Sequence, residues 1–194
     1  MKTVLMSIVV VLVSLPAVAQ ENPLAKSSAG DWAKYLVTTK NETVPLMSSK
    51  DQERWWVISN VGDGFVRIDN YTMFGGSRRG AGGRLAYFKD RYEPVAVVAK
   101  TTKVEVVSTG KESLTIRGKR YECTKIVRKI DQPVDDSTVQ PGWSGTSTIW
   151  ISAALPVGLA RMENVYHSKL SKSDKGQKIA ETWQLAECGF KDWK

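Results

Sequence analysis

Histidine is almost absent from this sequence, and cysteine is scarce. The chain contains one histidine, His167, and two cysteines, Cys123 and Cys188. Zinc sites use three or four His, Cys or carboxylate ligands, and hydrolytic triads place a nucleophile beside an oriented base. Ser168 follows His167, but adjacent residues of a strand face opposite ways. The sequence therefore predicts no enzyme, no metal centre and no cofactor, and we expect His167 to be an ordinary strand-end residue.

Phosphate-binding glycine loops are also missing. Residues 75–84 read GGSRRGAGGR, but they lack the Gly-Lys-Ser/Thr of a Walker loop and the strand–turn–helix context of a dinucleotide fingerprint. The basic residues of the chain are dispersed and no DNA- or RNA-binding motif accompanies them, so nucleic acid is not an expected partner. We predict a flexible loop at 75–84. The alternative is a mobile lip for an anionic ligand that carries Arg78, Arg79 and Arg84.

Long hydrophobic runs are confined to the N-terminus. An apolar run at residues 4–15 follows a lysine and precedes Ala17-Val18-Ala19, which is typical of a secretory signal peptide cleaved before Gln20. The run is shorter than the roughly 20 residues of a membrane span, and no cysteine follows the cleavage site to carry a lipid. We expect a signal peptide at 1–19, one β-rich domain at 20–194, no membrane span, and a periplasmic or secreted location.

The mature chain is basic and has the size of one domain. Removal of the signal peptide leaves 175 of the 194 residues, enough to bury a hydrophobic core without disulfides or a structural metal. Without Lys2, 27 basic residues stand against 20 acidic ones. This charge suits an anionic amphiphilic ligand, although it also serves solubility. In an oxidising compartment Cys123 and Cys188 are candidates for a disulfide, and the alternative is two packed thiols.

Helical periodicity is scarce, and β-favouring residues with frequent turn signals take its place. Strands are predicted at residues 32–38, 54–60, 65–71, 95–99, 104–108, 113–116, 121–130, 146–151, 159–166 and 178–187. Turns are predicted at 61–64, at Gly110-Lys111 and at Gly118-Lys119. The spacing favours a mainly β fold built on an antiparallel sheet, which must cover its apolar face by curling into a single curved sheet, by doubling into a β-sandwich or with a short helix. Residues 21–29 are the candidate for one short N-terminal helix.

The apolar stretch Ile149–Asn164, IWISAALPVGLARMEN, is neither a membrane span nor a catalytic elbow. Pro156, Gly158 and Arg161 interrupt it, and it lacks the Gly-x-Ser-x-Gly of a nucleophile elbow. Proline cannot donate to a β ladder, and glycine can take a positive φ. We therefore predict a strand, a turn at residues 153–158, and a second strand.

Tryptophan is abundant, with seven residues. Trp55 and Trp56 are adjacent, so in a strand they must point to opposite faces. One of the two side chains can join the core. The other lies on the second face of the sheet and must be covered by other residues or by a ligand. Trp143 is a further candidate for a ligand surface, because indole rings pack on acyl chains and stack on sugars. Strand context assigns three others to the core: Trp32, Trp150 and Trp183.

Two segments resemble elements of exported bacterial β-proteins. GKESLTIRGKRYECTKI, Gly110–Ile126, carries the turn glycines, the aromatic residue and the cysteine of one element. IWISAALPVGLARME, Ile149–Glu163, resembles its partner element, a Trp-containing strand and a Pro-x-Gly turn. The resemblance covers roughly residues 104–188 and is to uncharacterised proteins whose sheet is related to the half-barrel of periplasmic lipoprotein carriers. It implies a strongly curved sheet whose concave face, in those carriers, holds acyl chains.

These observations favour a non-enzymatic exported binding protein for a lipid or other hydrophobic ligand. The predicted ligand-binding residues are Trp55, Trp56, Trp143, Arg78, Arg79 and Arg84. The alternative is an envelope protein that binds a protein partner through a sheet edge or a Trp-bearing face. The third interpretation is an enzyme. Two carboxylates that catalyse glycoside hydrolysis need only be close in space, so they can be far apart in the sequence. The first interpretation predicts an apolar groove, and the second a filled interior with an exposed apolar patch.

Overall fold

The computed structural model describes residues 22–74, 77–88, 92, 102–134 and 142–191, with the backbone alone at 74, 77–86 and 88. Within these ranges nine strands form one antiparallel sheet. The strands are β1 (Trp32–Asn41), β2 (Ser49–Val61), β3 (Phe65–Phe74), β4 (Ser77–Phe88), β5 (Lys103–Ile116), β6 (Lys119–Gln132), β7 (Gly142–Ile151), β8 (Leu159–Lys169) and β9 (Gln177–Gly189). The predicted single curved antiparallel sheet is confirmed, and the alternative β-sandwich is not the fold found.

The sheet joins two meanders through the first and last strands. Its order is β4-β3-β2-β1-β9-β8-β7-β6-β5, so β1–β4 form one meander and β5–β9 the other. The two meet along the β1–β9 ladder, which runs from Trp32 opposite Gly189 to Asn41 opposite Ile179. Tyr87 of β4 and Val104 of β5 lie at opposite edges of the sheet, yet both line one groove. The sheet therefore curls into a half-barrel whose edges approach each other.

The concave face is filled at one end by an aromatic cluster. Trp56 packs against Tyr35, Trp183 and Tyr87, with ring centroids 5.4, 5.3 and 6.0 Å away. Tyr87 in turn contacts Tyr92 at 4.8 Å. The fully buried Tyr35 hydroxyl donates to the carbonyl of Leu159 at 3.1 Å, so this polar atom does not remain unsatisfied in the core.

The turn between β7 and β8 closes the same end. Gly158 takes a φ of +77°, and the backbone N–H of Ser152 donates to its carbonyl at 2.8 Å. Leu155 and Val157 of the turn are buried, and the Tyr92 hydroxyl donates to the Val157 carbonyl at 3.1 Å. The predicted strand, turn and strand are confirmed, and the turn contributes core residues as well as reversing the chain.

The predicted N-terminal helix is wrong over the residues that the structure describes. Residues 22–30 form turns, in which the Ser27 N–H donates to the Leu24 carbonyl at 3.2 Å and the Ser28 N–H to the Asp31 carboxylate at 2.7 Å. The Asp31 carboxylate takes up the N–H of Ser28, three residues earlier, in place of a helical backbone acceptor. Leu24, which is fully buried, anchors the segment to the core.

Two loop predictions are wrong because strand pairing overrides glycine. Ser77–Phe88 is strand β4, paired with β3 from Phe74 to Phe65, and not a flexible loop. β5 continues through Gly110, which lies opposite Lys125, so the turn predicted at Gly110-Lys111 is wrong. The turn predicted at Gly118-Lys119 is present, shifted by one residue to Arg117 and Gly118, with φ of 49° and 78°. Ladder hydrogen bonds to a neighbour offset the weak strand propensity of glycine. The predicted strand at 95–99 lies outside the described residues.

Candidate functional site

A groove of about 610 Å³ lies on the concave face of the half-barrel. Its walls come from β5–β9 and, across the opening, from Tyr87 of β4. The buried aromatic cluster and the β7–β8 turn occupy the other end of the concave face. The groove is therefore the part of the interior that side chains leave unfilled.

Cross-strand register arranges the groove side chains of β6, β7, β8 and β9 in rows. The polar row consists of Arg128, Ser147, Asn164 and Glu181. The apolar row, two residues along on β6, β7 and β8, consists of Ile130, Gly145 and Tyr166, which all line the groove. Side chains directly opposite on neighbouring antiparallel strands share a face and lie about 5 Å apart. A ligand in the groove can therefore meet a polar and an apolar stripe that run side by side.

Arg128 stands at the β6 end of the polar row. Its side chain is buried, and Nη1 donates to the backbone carbonyl of Tyr92 at 3.2 Å. Burial raises the pKa of the Tyr87 hydroxyl to about 12, against an opposing effect of the Arg128 charge. The guanidinium is thus fixed within electrostatic reach of the groove wall. Ser147, its neighbour in the row, is also buried.

Glu181 stands at the β9 end of the same row. Burial raises the pKa of its carboxyl group, while the hydrogen bond from the Trp183 indole and the charge of Arg54 lower it in part. Burial also raises the pKa of the nearby Tyr166 hydroxyl, with a further rise from the Glu181 charge. The two ends of the polar row therefore carry opposite character, one permanently cationic and the other acidic.

We expect Glu181→Gln to be more stable than the wild type at neutral pH. The pKa of Glu181 in the folded protein lies above its value of about 4.3 in the unfolded chain. Ionisation of the carboxyl group therefore destabilises the folded state relative to the unfolded one. The wild type should lose stability as pH rises through about 4.3 towards the folded pKa, and the variant should not. Urea denaturation across this pH range measures the effect.

Glu122→Gln is the control, because hydrogen bonds from Ser113 and Arg120 lower the pKa of the exposed Glu122. The Glu122 contribution has the opposite sign: it is present above the unfolded pKa and is lost as pH falls through the folded pKa. Identical pH profiles for Glu181→Gln and the wild type would contradict the assignment of Glu181.

The structure separates the predicted ligand-binding tryptophans. Trp143 lines the groove on β7, with its ring centroid 6.4 Å from that of Tyr166. Trp56 is buried in the aromatic cluster, whereas Trp55 lies on the convex face. Trp32, predicted to be in the core, lies beside Trp55 at 5.1 Å, so that prediction is wrong. The prediction that Trp55 and Trp56 face opposite ways is confirmed, and their role in binding stays a prediction.

The other two core tryptophans and the histidine are placed as predicted. Trp150 and Trp183 are both buried. The Trp150 ring lies between Lys125 Nζ and Arg161 Cζ, at 5.0 and 5.2 Å from its centroid. His167 lies near the end of β8, opposite Ser144. Among the residues the structure describes, no three His, Cys, Asp or Glu side chains gather as a metal site.

The predicted arginine lip is a strand at the sheet edge. On β4, Arg78, Arg79 and Arg84 pair with Met73, Thr72 and Asp69 of β3. Only the backbone of these three arginines is described, so their contact with a ligand stays a prediction.

The structure holds Cys123 and Cys188 as thiols and not as a disulfide, which is the packed-thiol alternative. β7 and β8 separate β6 from β9 in the sheet, and a disulfide needs Cα atoms within about 7 Å. The Cys123 thiol donates to the carbonyl of Tyr121 at 3.7 Å, and burial raises the pKa of Cys188.

The polar row is absent from the sequence-based predictions. One member of the row could have been found from the sequence. Ile126, Arg128 and Ile130 are alternate residues of β6 and share a face, so the charged Arg128 lies on the inward face with two isoleucines. Ser147, Asn164 and Glu181 have no such signal, because only the strand register brings them beside Arg128.

Comparisons with known proteins do not place this chain in a family. No protein-family model and no curated protein matches the sequence. Among solved structures, one described as a "putative lipoprotein" from Parabacteroides distasonis ATCC 8503 is similar, with 11% identity and a TM-score of 0.48. The match covers 88% of this chain and 100% of that one. In the described part of the chain, no helix is long and apolar enough to cross a membrane.

Proposed function

We propose that this protein is an exported, non-enzymatic binding protein that holds a lipid or other hydrophobic ligand in the concave groove. The observation that carries the proposal is the groove itself, about 610 Å³ in volume, on the inner face of a curled sheet. Pockets for small ligands commonly measure about 300–1,000 Å³ and combine apolar walls with a few placed polar groups. The secretory signal predicted at residues 1–19 supports export.

The groove walls suit an apolar chain. Ile130 and Met162 line the groove, and Trp143 and Tyr166 add aromatic surface to it. Methionine is unbranched and polarisable, so it adapts to ligands of variable shape. Burial of apolar ligand surface against these side chains contributes roughly 25 cal/mol for each Å² removed from water. Such a wall needs no catalytic group to bind its ligand.

Native mass spectrometry tests the proposal. Protein purified gently from a bacterial periplasm should carry a bound lipid-sized mass, and organic extraction should remove that mass. Met162→Gln should reduce the bound fraction at least tenfold, because a polar amide replaces apolar groove surface. Val165→Gln is the matched control, since Val165 lies on the same strand but is 47% exposed. A clean apo mass with no uptake of added phospholipid would refute ligand binding in the groove.

One observation favours the second candidate, an envelope interaction protein. β5 pairs with β6 along one side and, within the described residues, has no strand on its other side. Val104, Val106 and Val107 on this edge are 49%, 51% and 49% exposed. Exposed edge strands are templates for pairing with another chain. An apo mass together with a stoichiometric protein partner that is lost on Val106→Lys would favour this function instead.

A further inference from the structure

We infer that the polar row is a head-group subsite, so that the groove takes an amphiphile with one anionic head, a carboxylate or a phosphate. Arg128 would bind the anion, and Ser147 and Asn164 would complete its hydrogen bonds. The tail would lie along the apolar row. This inference rests on the proposed function, because it names the ligand class of the same groove.

The register of the sheet places the three polar groups within reach of one head group. Ser147 is one strand spacing from Arg128 and Asn164 is two, which is roughly 10 Å before the curl of the sheet shortens it. Arg128, Ser147 and Asn164 all line the groove. Ile130 and Tyr166 of the apolar row also line it, two residues from Arg128 on β6 and from Asn164 on β8. Head and tail can therefore occupy adjacent stripes.

The chemistry of Arg128 favours an anion over a neutral polar head. Arginine remains charged at any physiological pH, and its planar fork of five N–H donors matches a carboxylate or phosphate. The bond from Nη1 to the Tyr92 carbonyl fixes the guanidinium beside the groove. Charge-assisted hydrogen bonds are stronger in a low-dielectric groove than in water.

The opposite end of the row sets the direction of the head group. Glu181 is acidic and lies three strands from Arg128. An ionised carboxylate there repels an anion, and a protonated one offers no positive charge. The head should therefore lie at the β6 end, near Tyr87, whose ring also lines the groove.

A comparison of ligands with one tail and different heads tests the inference on the wild-type protein. Dodecanoate, dodecyl phosphate and dodecanol are titrated at fixed salt, below the concentration at which they form micelles. The two anions should bind at least tenfold more tightly than the alcohol, and the tighter of the two identifies carboxylate or phosphate as the preferred head. Equal affinities for all three would overturn the head-group inference and leave the proposed function standing. If none of the three binds, the proposed function fails.

Variants then assign the preference to the polar row. Arg128→Gln should remove the advantage of the anions over the alcohol. Asn164→Asp does not touch the contact between Arg128 and Tyr92, and it should weaken anion binding by adding a negative charge to the row. The matched control is Lys129→Gln, which removes one positive charge from an exposed position of the same strand. If Lys129→Gln lowers anion affinity as much as Arg128→Gln does, or if Asn164→Asp leaves it unchanged, the inference is wrong.

Discussion

Replacement of Trp56 by alanine should lower the free energy of unfolding by about 3–5 kcal/mol, because it removes the central ring of a buried cluster. Trp56 is 2% exposed and packs against Tyr35, Tyr87 and Trp183. The cavity left behind would be bounded by aromatic rings from β1, β4 and β9, which the sheet framework holds in place. Urea denaturation, followed by far-ultraviolet circular dichroism, measures the loss.

Trp55→Ala is the matched control, since Trp55 is the next residue on the opposite face. It lies against Trp32 and beneath Lys34, whose Nζ is 5.3 Å from the ring centroid. Loss of these half-buried contacts should cost only about 1–2 kcal/mol. The two variants also test whether either tryptophan binds ligand: we expect Trp55→Ala to keep the groove and its ligand. Equal destabilisation by both changes would show that the convex face is covered in solution.

Gly145→Ala should destabilise the protein by about 1–3 kcal/mol, although glycine is a poor strand residue. A Cβ at this position would overlap the carbonyl oxygen of Val165 and lie 2.6 Å from the Cα of Tyr166. The backbone of β8 approaches β7 so closely that a methyl group must push the strands apart. Since Gly145 and Tyr166 line the groove, the change should also lower ligand affinity. Denaturant midpoints and ligand titration measure the two effects.

Gly110→Ala supplies the comparison within the same sheet. A Cβ on Gly110, in the middle of β5, would meet no atom within 4 Å. Because alanine has less backbone freedom to lose than glycine, this variant should be about 0.5–1 kcal/mol more stable than the wild type. If the two glycine variants shift stability in the same direction, close approach of β8 does not explain Gly145.

The antiparallel meanders were predictable because their signals are local. Alternating strands punctuated by Gly118 and by the Pro156-x-Gly158 turn specify an antiparallel meander, and both glycines have positive φ. The opposite orientation of Trp55 and Trp56 also follows from their adjacency alone. These features depend on residues within a few positions of one another, so the sequence is sufficient to predict them.

The groove was not predictable, because it depends on which strands become neighbours. Glu181 faces inward beside Asn164 only through the register of β8 and β9. Trp32 looks like a core residue in its own strand, but the parity of β1 puts it on the convex face while Tyr35 is buried. Likewise, the glycine-rich β4 is a strand only because β3 lies beside it. The pairing between strands determines which face and which neighbours these residues have. The strand propensity of a single segment does not predict that pairing.

The ladder between the first and last strands has a consequence for biosynthesis. Trp32 lies opposite Gly189, and the Lys191 N–H donates to the Asp31 carboxylate at 3.1 Å. Contacts between residues so distant in sequence form slowly, since the intervening chain must be ordered first. During synthesis the two meanders cannot join until β9 has emerged, so the half-sheets exist with open edges in the interval. A circular permutant that links these ends and opens the chain at Gly118 would turn the slowest ladder into a local hairpin.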